Sequence, residues 1–287
     1  MATHGEKVPP ETRIGAVSLN VAGLAGMADF YARVIGLDEV ERSAERVRLG
    51  SEEATVVELV AAPGAPPRPP RSTGLFHLAL LVPGRRWLAG ALRRLAASRW
   101  PLSGASDHLV SEALYVRDPE GNGIEIYRDR ARAEWPHANG NLRMDTLPLD
   151  LDELVNEEPP EDPARAGPGT TMGHVHLNVA DIPEAETFYA GGLGLDVTVR
   201  GYPGALFLSA GGYHHHVGVN TWFTAGGPPP PEGALGLRHF GLLVPDDAAA
   251  EAMAERLRGT GLEPVTEADG FVVADPSGNR VAVRSHA

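Results

Sequence analysis

The chain contains no cysteine, which excludes disulfides, zinc-thiolate sites and a cysteine nucleophile at once. It has no uninterrupted apolar run near the roughly 18 to 20 residues that a membrane-spanning helix needs. Its opening, MATHGEKVPPETR, is polar and lacks the apolar stretch of a signal peptide. Positive charge is short as well: the formal net charge is −13 at pH 7, which argues against gripping nucleic acid or an anionic membrane through a basic surface. Aromatics make up only 6% of the residues, so a segment that gathers them with histidines stands out. What remains is 287 residues, 43% of them hydrophobic, enough for about two domains with their own cores. We expect a globular, cytoplasmic enzyme or binding protein.

The chain repeats itself. GAVSLNVAGLAGMADFYARVIGLDEV from Gly15 lines up with GHVHLNVADIPEAETFYAGGLGLDV from Gly173, and GLFHLALLVP from Gly74 with GLRHFGLLVP from Gly236. DPEGN from Asp118 likewise matches DPSGN from Asp275; both are turn-forming sequences whatever the function. Each copy opens on an alternating apolar strand, continues into a helical stretch (Ala28 to Val34, or Glu184 to Ala190) and ends in strands split by Gly and Pro turns. This pattern predicts four βαβββ modules, at 13–62, 72–128, 172–223 and 235–286. They group into domains 1–128 and 172–287, joined by a connector over 129–171 with one short helix. A connector that long is expected to lie draped over the structure.

Four modules opening on FHLALLVP and HVHLNVAD resemble the vicinal oxygen chelate superfamily of glyoxalases, bleomycin-resistance proteins and dioxygenases. Within it, DHLVSEALYVRDPEGNGIEIY from Asp107 and GGYHHHVGVNTW from Gly211 resemble the bacterial catechol 2,3-dioxygenases, extradiol enzymes of type I. The resemblance covers about Arg13 to Ser285. It implies an α+β fold in which four tandem βαβββ modules form two cup-shaped mixed β-sheet barrels, each cup able to hold a metal.

The resemblance also assigns ligand positions. One is the first residue of each opening motif, here Ala16, His77, His174 and His239; the other lies in each last strand, at Glu58, Glu125, about Gly218 and Ala282. Pairing modules one with two and three with four gives no cup with two histidines and one carboxylate. Pairing two with three gives His77, Glu125 and His174 beside Gly218, the set that non-heme Fe(II) oxygenases use. We favour that pairing, although it departs from the best-known two-domain members, which keep the triad in the C-terminal pair. It would also explain why DGFVVADPSGNRVAVRSHA keeps the turn of its counterpart and loses the glutamate.

Further roles follow from the same resemblance. The acid-base histidine aligns best with His215, with His214 and His216 as neighbours in YHHHVGVN; imidazole suits the work because its pKa lies near neutrality. Tyr115, ten positions before Glu125, and His108, seven before Tyr115, would hydrogen-bond the substrate's oxygens. The implied activity is opening of catechol or a substituted catechol by O2 at Fe(II), with Mn(II) sharing the ligand preference, to a 2-hydroxymuconic semialdehyde type product. The partners are then a small aromatic diol and O2, with no nucleic acid and no membrane, in a homo-oligomer. The rivals are a glyoxalase-like metal isomerase, which typically uses two glutamates, and a metal-free small-molecule binder of the bleomycin-resistance type. A lone strand histidine is otherwise a packed core residue, the reading favoured for His239, and Glu58 is otherwise a half-buried polar residue.

Overall fold

A computed structural model describes residues 7–52 and 54–285. Residues 1–6, at the head of the first expected domain, and 286–287, at the end of the last module, lie outside the described residues. Among the described residues two compact units emerge, one within 16–66 and 77–173, the other of 7–15, 67–76 and 174–285.

Each module is built as its pattern predicts. Module one runs β1 (Arg13–Val21), α1 (Leu24–Phe30), β2 (Asp38–Arg42), β3 (Arg46–Ser51) and β4 (Ala54–Ala61); module two runs β5 (Gly74–Leu81), α2 (Arg85–Ala97), β6 (Gly104–Asp107), β7 (Ser111–Arg117) and β8 (Gly123–Asp129). The connector contributes β9 (His137–Ala138), β10 (Asn141–Leu142), β11 (Leu147–Pro148) and α3 (Leu151–Val155). Module three has β12 (Thr171–Asn178), α4 (Ile182–Glu186), β13 (Asp196–Val199), β14 (Ala205–Ser209) and β15 (Val217–Asn220). Module four has β16 (Gly236–Val244), α5 (Asp247–Gly259), β17 (Val265–Glu267), β18 (Gly270–Ala274) and β19 (Arg280–Ser285).

In every module the opening strand pairs in parallel with the last one, β1 with β4, β5 with β8, β12 with β15 and β16 with β19. Parallel neighbours need a crossover, and the helix supplies it. The opening strands are mostly buried: β12 is buried at every position after the first. The sheets run β17-β18-β19-β16-β1-β4-β3-β2 and β11-β6-β7-β8-β5-β12-β15-β14-β13. Modules two and three therefore contribute strands to one mixed sheet, and modules four and one to the other. The result is the fold that the resemblance implies. No described helix is long and apolar enough to cross a membrane.

The two repeat helices begin earlier than their apolar pattern suggests, at Leu24 and Ile182, and each widens into a π-helical turn, at Tyr31–Ile35 and Thr187–Gly192. For α4 the early start has a cause: Asp181 accepts a hydrogen bond from Glu184 N–H as N-cap, with proline in the first turn. The π turns coincide with the tyrosines that the turn sequences hold. Tyr31 donates to Asp118 at 3.2 Å and Tyr189 to Asp275 at 2.9 Å, while each aspartate also accepts two backbone N–H groups and an asparagine amide of its own turn. Burial, then the facing aspartate's charge, push both phenols well above their ordinary pKa. They remain donors, tying module two to one and four to three.

The connector is docked on α2 and the first π turn. Arg94 donates to the carbonyls of Ile35, Pro163 and Arg165, and burial lowers its guanidinium to about 10. Arg93 donates to Val155 and Glu157 carbonyls, and Ser51 to that of Gly167. At its start, β11 adds an edge strand to β6.

Candidate metal centre

Register places the module-two residues. In the parallel β5–β8 ladder Ala79 is the partner of Glu125, and in the antiparallel β7–β8 ladder Tyr115 is. Residues two apart on a strand share a face, so His77, Ala79, Tyr115 and Glu125 all stand on one face. Alanines at 79 and 113 keep that face low around buried Tyr127. His77 Nε2 lies 3.0 Å from Glu125 Oε2, with the side chains 8% and 4% exposed, and the Tyr115 ring is 5.6 Å from the His77 ring.

His174 follows Gly173 in β12. A Cβ on Gly173 would meet the Tyr127 hydroxyl at 1.8 Å and Leu81 Cβ at 3.0 Å, so only glycine lets the chain run this close to β5 and β8 just before the histidine. One ligand atom from each of His77, Glu125 and His174 lies within 4.8 Å of the others, and all three residues are buried. Two imidazoles and one carboxylate, desolvated and converging, could hold a divalent metal ion.

The remaining expected positions are filled otherwise. Gly218 is the partner of His176 and carries no donor. Ala16 and Ala282 offer none, and His239 is half-buried on β16. Glu58 occupies the register of Glu125, opposite Ser18 and Arg48, but accepts from Ser18 Oγ at 2.8 Å, Arg46 at 3.2 Å and Arg48 at 3.3 Å. Burial resists its ionisation, yet the bonds from Ser18, Arg48 and Arg46 prevail and hold it below the ordinary value of 4.5.

Of the three histidines before β15, His215 has its ring 4.1 Å from that of His174, against 6.1 Å for His214. His214 stacks on Tyr213 and meets His215 Nδ1 to Nδ1 at 2.8 Å. His216 is held through Nδ1 by Ser209 Oγ at 2.9 Å and Ala210 N–H at 3.2 Å. The segment 211–216 is a loop, begun by Gly211 and Gly212 at φ of 58° and 65°; strand alternation therefore does not apply to it. His108 Nε2 lies 2.7 Å from the Tyr115 hydroxyl, and its Nδ1 lies 2.8 Å from the Asp145 carbonyl. Two neighbours escape sequence reasoning. Phe207 packs 4.9 Å from His215, visible only once the β14–β15 register is known, and the Asp145 carbonyl is backbone, which no side-chain pattern reveals.

Residues 13–126 and 171–283 match the family described as Glyoxalase/Bleomycin resistance protein/Dioxygenase superfamily. A relative from Bacillus subtilis (strain 168), named catechol-2,3-dioxygenase, is 38% identical over 271 residues, covering 93% of this chain and 94% of its own. Among solved structures, a dioxygenase candidate from Bacillus subtilis subsp. subtilis str. 168 superposes with a TM-score of 0.67 at 15% identity, covering 98% of this chain and 86% of the other. Glyoxalase I of Zea mays does so at 0.60 and 15%, covering 96% and 92%. At such identity the two structures speak for the fold alone; the family match and the 38% relative carry more. The chain belongs to the Glyoxalase/Bleomycin resistance protein/Dioxygenase superfamily.

Proposed function

We propose that the protein is an extradiol dioxygenase that opens catechol or a substituted catechol with O2, yielding a 2-hydroxymuconic semialdehyde type product. The observation that carries this reading is the buried convergence of His77, Glu125 and His174 beside the hydrogen-bonded His108–Tyr115 pair. The relative named catechol-2,3-dioxygenase supports it. Fe(II) is the proposed metal; His77, Glu125 and His174 would hold it, and it would supply the Lewis-acid and redox chemistry that joins a diol to O2.

The chain's own residues do the rest. Tyr115 orients the diol through its oxygens, with His108 hydrogen-bonded behind it. His215, one ring away from His174, takes the proton that the diol loses on binding and returns one as the ring opens. The single carboxylate favours this reading over a glyoxalase-like isomerase: Gly218 has no side chain to offer, and Glu58 is committed to Ser18, Arg46 and Arg48.

Anaerobic loading with Fe(II), then catechol and air, should produce a yellow product that a Glu125→Ala variant does not form. Iron bound without colour would reject the substrate class; a protein that takes no iron yet binds an aromatic ligand would support the binding-protein rival. In the active protein His215→Ala should lower turnover by roughly 100-fold to 10,000-fold, and a near-normal rate would remove His215 from the role.

A further inference from the structure

We propose that the connector is a working part of the site: the backbone carbonyl of Asp145 fixes which nitrogen of His108 carries the proton, and so the direction of the hydrogen bond between His108 and Tyr115. The catalytic consequence rests on the dioxygenase reading; the tautomer itself does not.

The inference starts from what each group can do. A backbone carbonyl only accepts. The Asp145 oxygen lies 2.8 Å from His108 Nδ1, so that nitrogen must carry hydrogen. In the neutral imidazole Nε2 is then a lone pair, and the Tyr115 hydroxyl 2.7 Å away must donate to it. With its single proton so committed, the phenol oxygen presents only lone pairs to any further partner. Tyr115 stands opposite Glu125 and 5.6 Å from the His77 ring. The group it receives there must be a donor: the hydroxyl of a diol that keeps one proton, rather than a carbonyl or an ionised oxygen.

Both ends of this relay are fastened. On the connector side, β11 pairs with β6, Leu147 opposite Asp107 and Pro148 opposite Ser106; proline is tolerated because the strand is an edge. The Asp145 carboxylate accepts from Thr146 N–H at 2.9 Å. On the histidine side, His108 N–H donates to the Ser111 carbonyl at 2.8 Å, and Asp107 is held by Arg130 at 2.7 Å and by Leu109 N–H at 2.8 Å. The carbonyl and the imidazole are thus brought together by two separately anchored stretches of chain. Tyr115 touches the substrate in the proposed reaction; His108 and Asp145 are positioning residues acting through it.

The first test is nitrogen-15 NMR of the histidine-labelled, metal-free full chain, which reads the tautomer whether or not the protein turns over catechol. His108 protonated on Nδ1 and bare on Nε2 is the expected result; protonation on Nε2, alone or together with Nδ1, overturns the proposal. The second is a kinetic cycle on the iron-loaded enzyme, replacing residues 143–148 by a Gly/Ser stretch of equal length. Loosening the carbonyl should lower kcat/KM about tenfold, the lower end of what such supporting contacts carry. In a His108→Ala background the same replacement should cost less than about twofold, because the route is already cut. Equal losses in both backgrounds would mean that the connector serves general stability only and would sink the positioning role. An enzyme without catechol activity would fail the functional reading, while the NMR result would still decide the tautomer.

Discussion

Glu125 and Glu58 occupy the same register in two copies of one module, and they meet opposite fates. Around Glu125 the same-face partners are Ala79 and Tyr115, with His77 3.0 Å away. Around Glu58 the corresponding partners are Ser18 and Arg48, and Ala16 stands where the histidine would be. Glu125 faces a phenol and an imidazole. A carboxylate facing two guanidiniums already has its cations. The fold provides the position in both modules; the residues opposite decide whether it is open or closed.

The sharpest way to break this contrast is to import the closure. Tyr115→Arg would set a guanidinium opposite Glu125, as Arg48 is set opposite Glu58. Metal affinity, read by titration of the metal-free protein, should fall by about 100-fold, the upper range for disturbing groups that support a ligand. Tyr115→Phe removes the hydroxyl without adding charge and should leave metal affinity within a few-fold. If both variants bind metal alike, the charge opposite the carboxylate is not what distinguishes the two modules.

A second contrast lies one residue before the histidines. Gly173 and Gly15 hold the same place in their repeats. A Cβ on Gly173 would run into the Tyr127 hydroxyl at 1.8 Å, whereas on Gly15 it would meet Leu243 Cγ at 3.0 Å. Tyr127 is fully buried and cannot swing away without disturbing Ala79 and Ala113, so Gly173→Ala should cost about 1–3 kcal/mol as overpacking. Gly15→Ala meets a flexible leucine end and should cost less than half as much. Denaturant unfolding of the two variants measures both; equal losses would mean that the tyrosine is not the obstacle.

These contrasts also mark how far the sequence could be read. The fourfold repeat and the βαβββ order were accessible, because strand alternation and duplicated motifs survive in one dimension; the approach of His77, Glu125 and His174 was accessible only through the family resemblance and the module pairing favoured with it. The repeats alone did not give the module pairing: a repeat says what each copy is and leaves open which copies share a sheet, so the favoured pairing rested on the ligand set. The engagement of Glu58 was hidden for a related reason. Arg46 and Arg48 sit in plain view in ERVRLG, but they become its partners only in the β3–β4 register. Tyr31 and Tyr189, in the π turns, bond aspartates 87 and 86 positions away, which no local pattern reports. The role of the connector depends on a carbonyl, and every residue has one.

The smallest expected effect tests the closed position itself. The folded-state pKa of Glu58 is held below its ordinary value of 4.5, so folding favours its ionised form. The stabilisation is therefore fully present above about the ordinary value and fades as pH falls through the lowered folded-state pKa. Its size is limited by solvent: the side chains of Arg46 and Arg48 are 48% and 39% exposed, and pairs with one end in water typically contribute about 1 kcal/mol or less. Glu58→Gln keeps the shape and removes the charge. Its unfolding free energy should lie below that of the parent by about that amount at pH 7, and the two curves should converge as pH falls through the lowered folded-state pKa and the parent's carboxylate takes up its proton. Metal affinity should not move. A gap that stays constant as pH falls would show that Glu58 is retained for its shape and hydrogen bonds, and that charge pairing is not what closes this copy of the site.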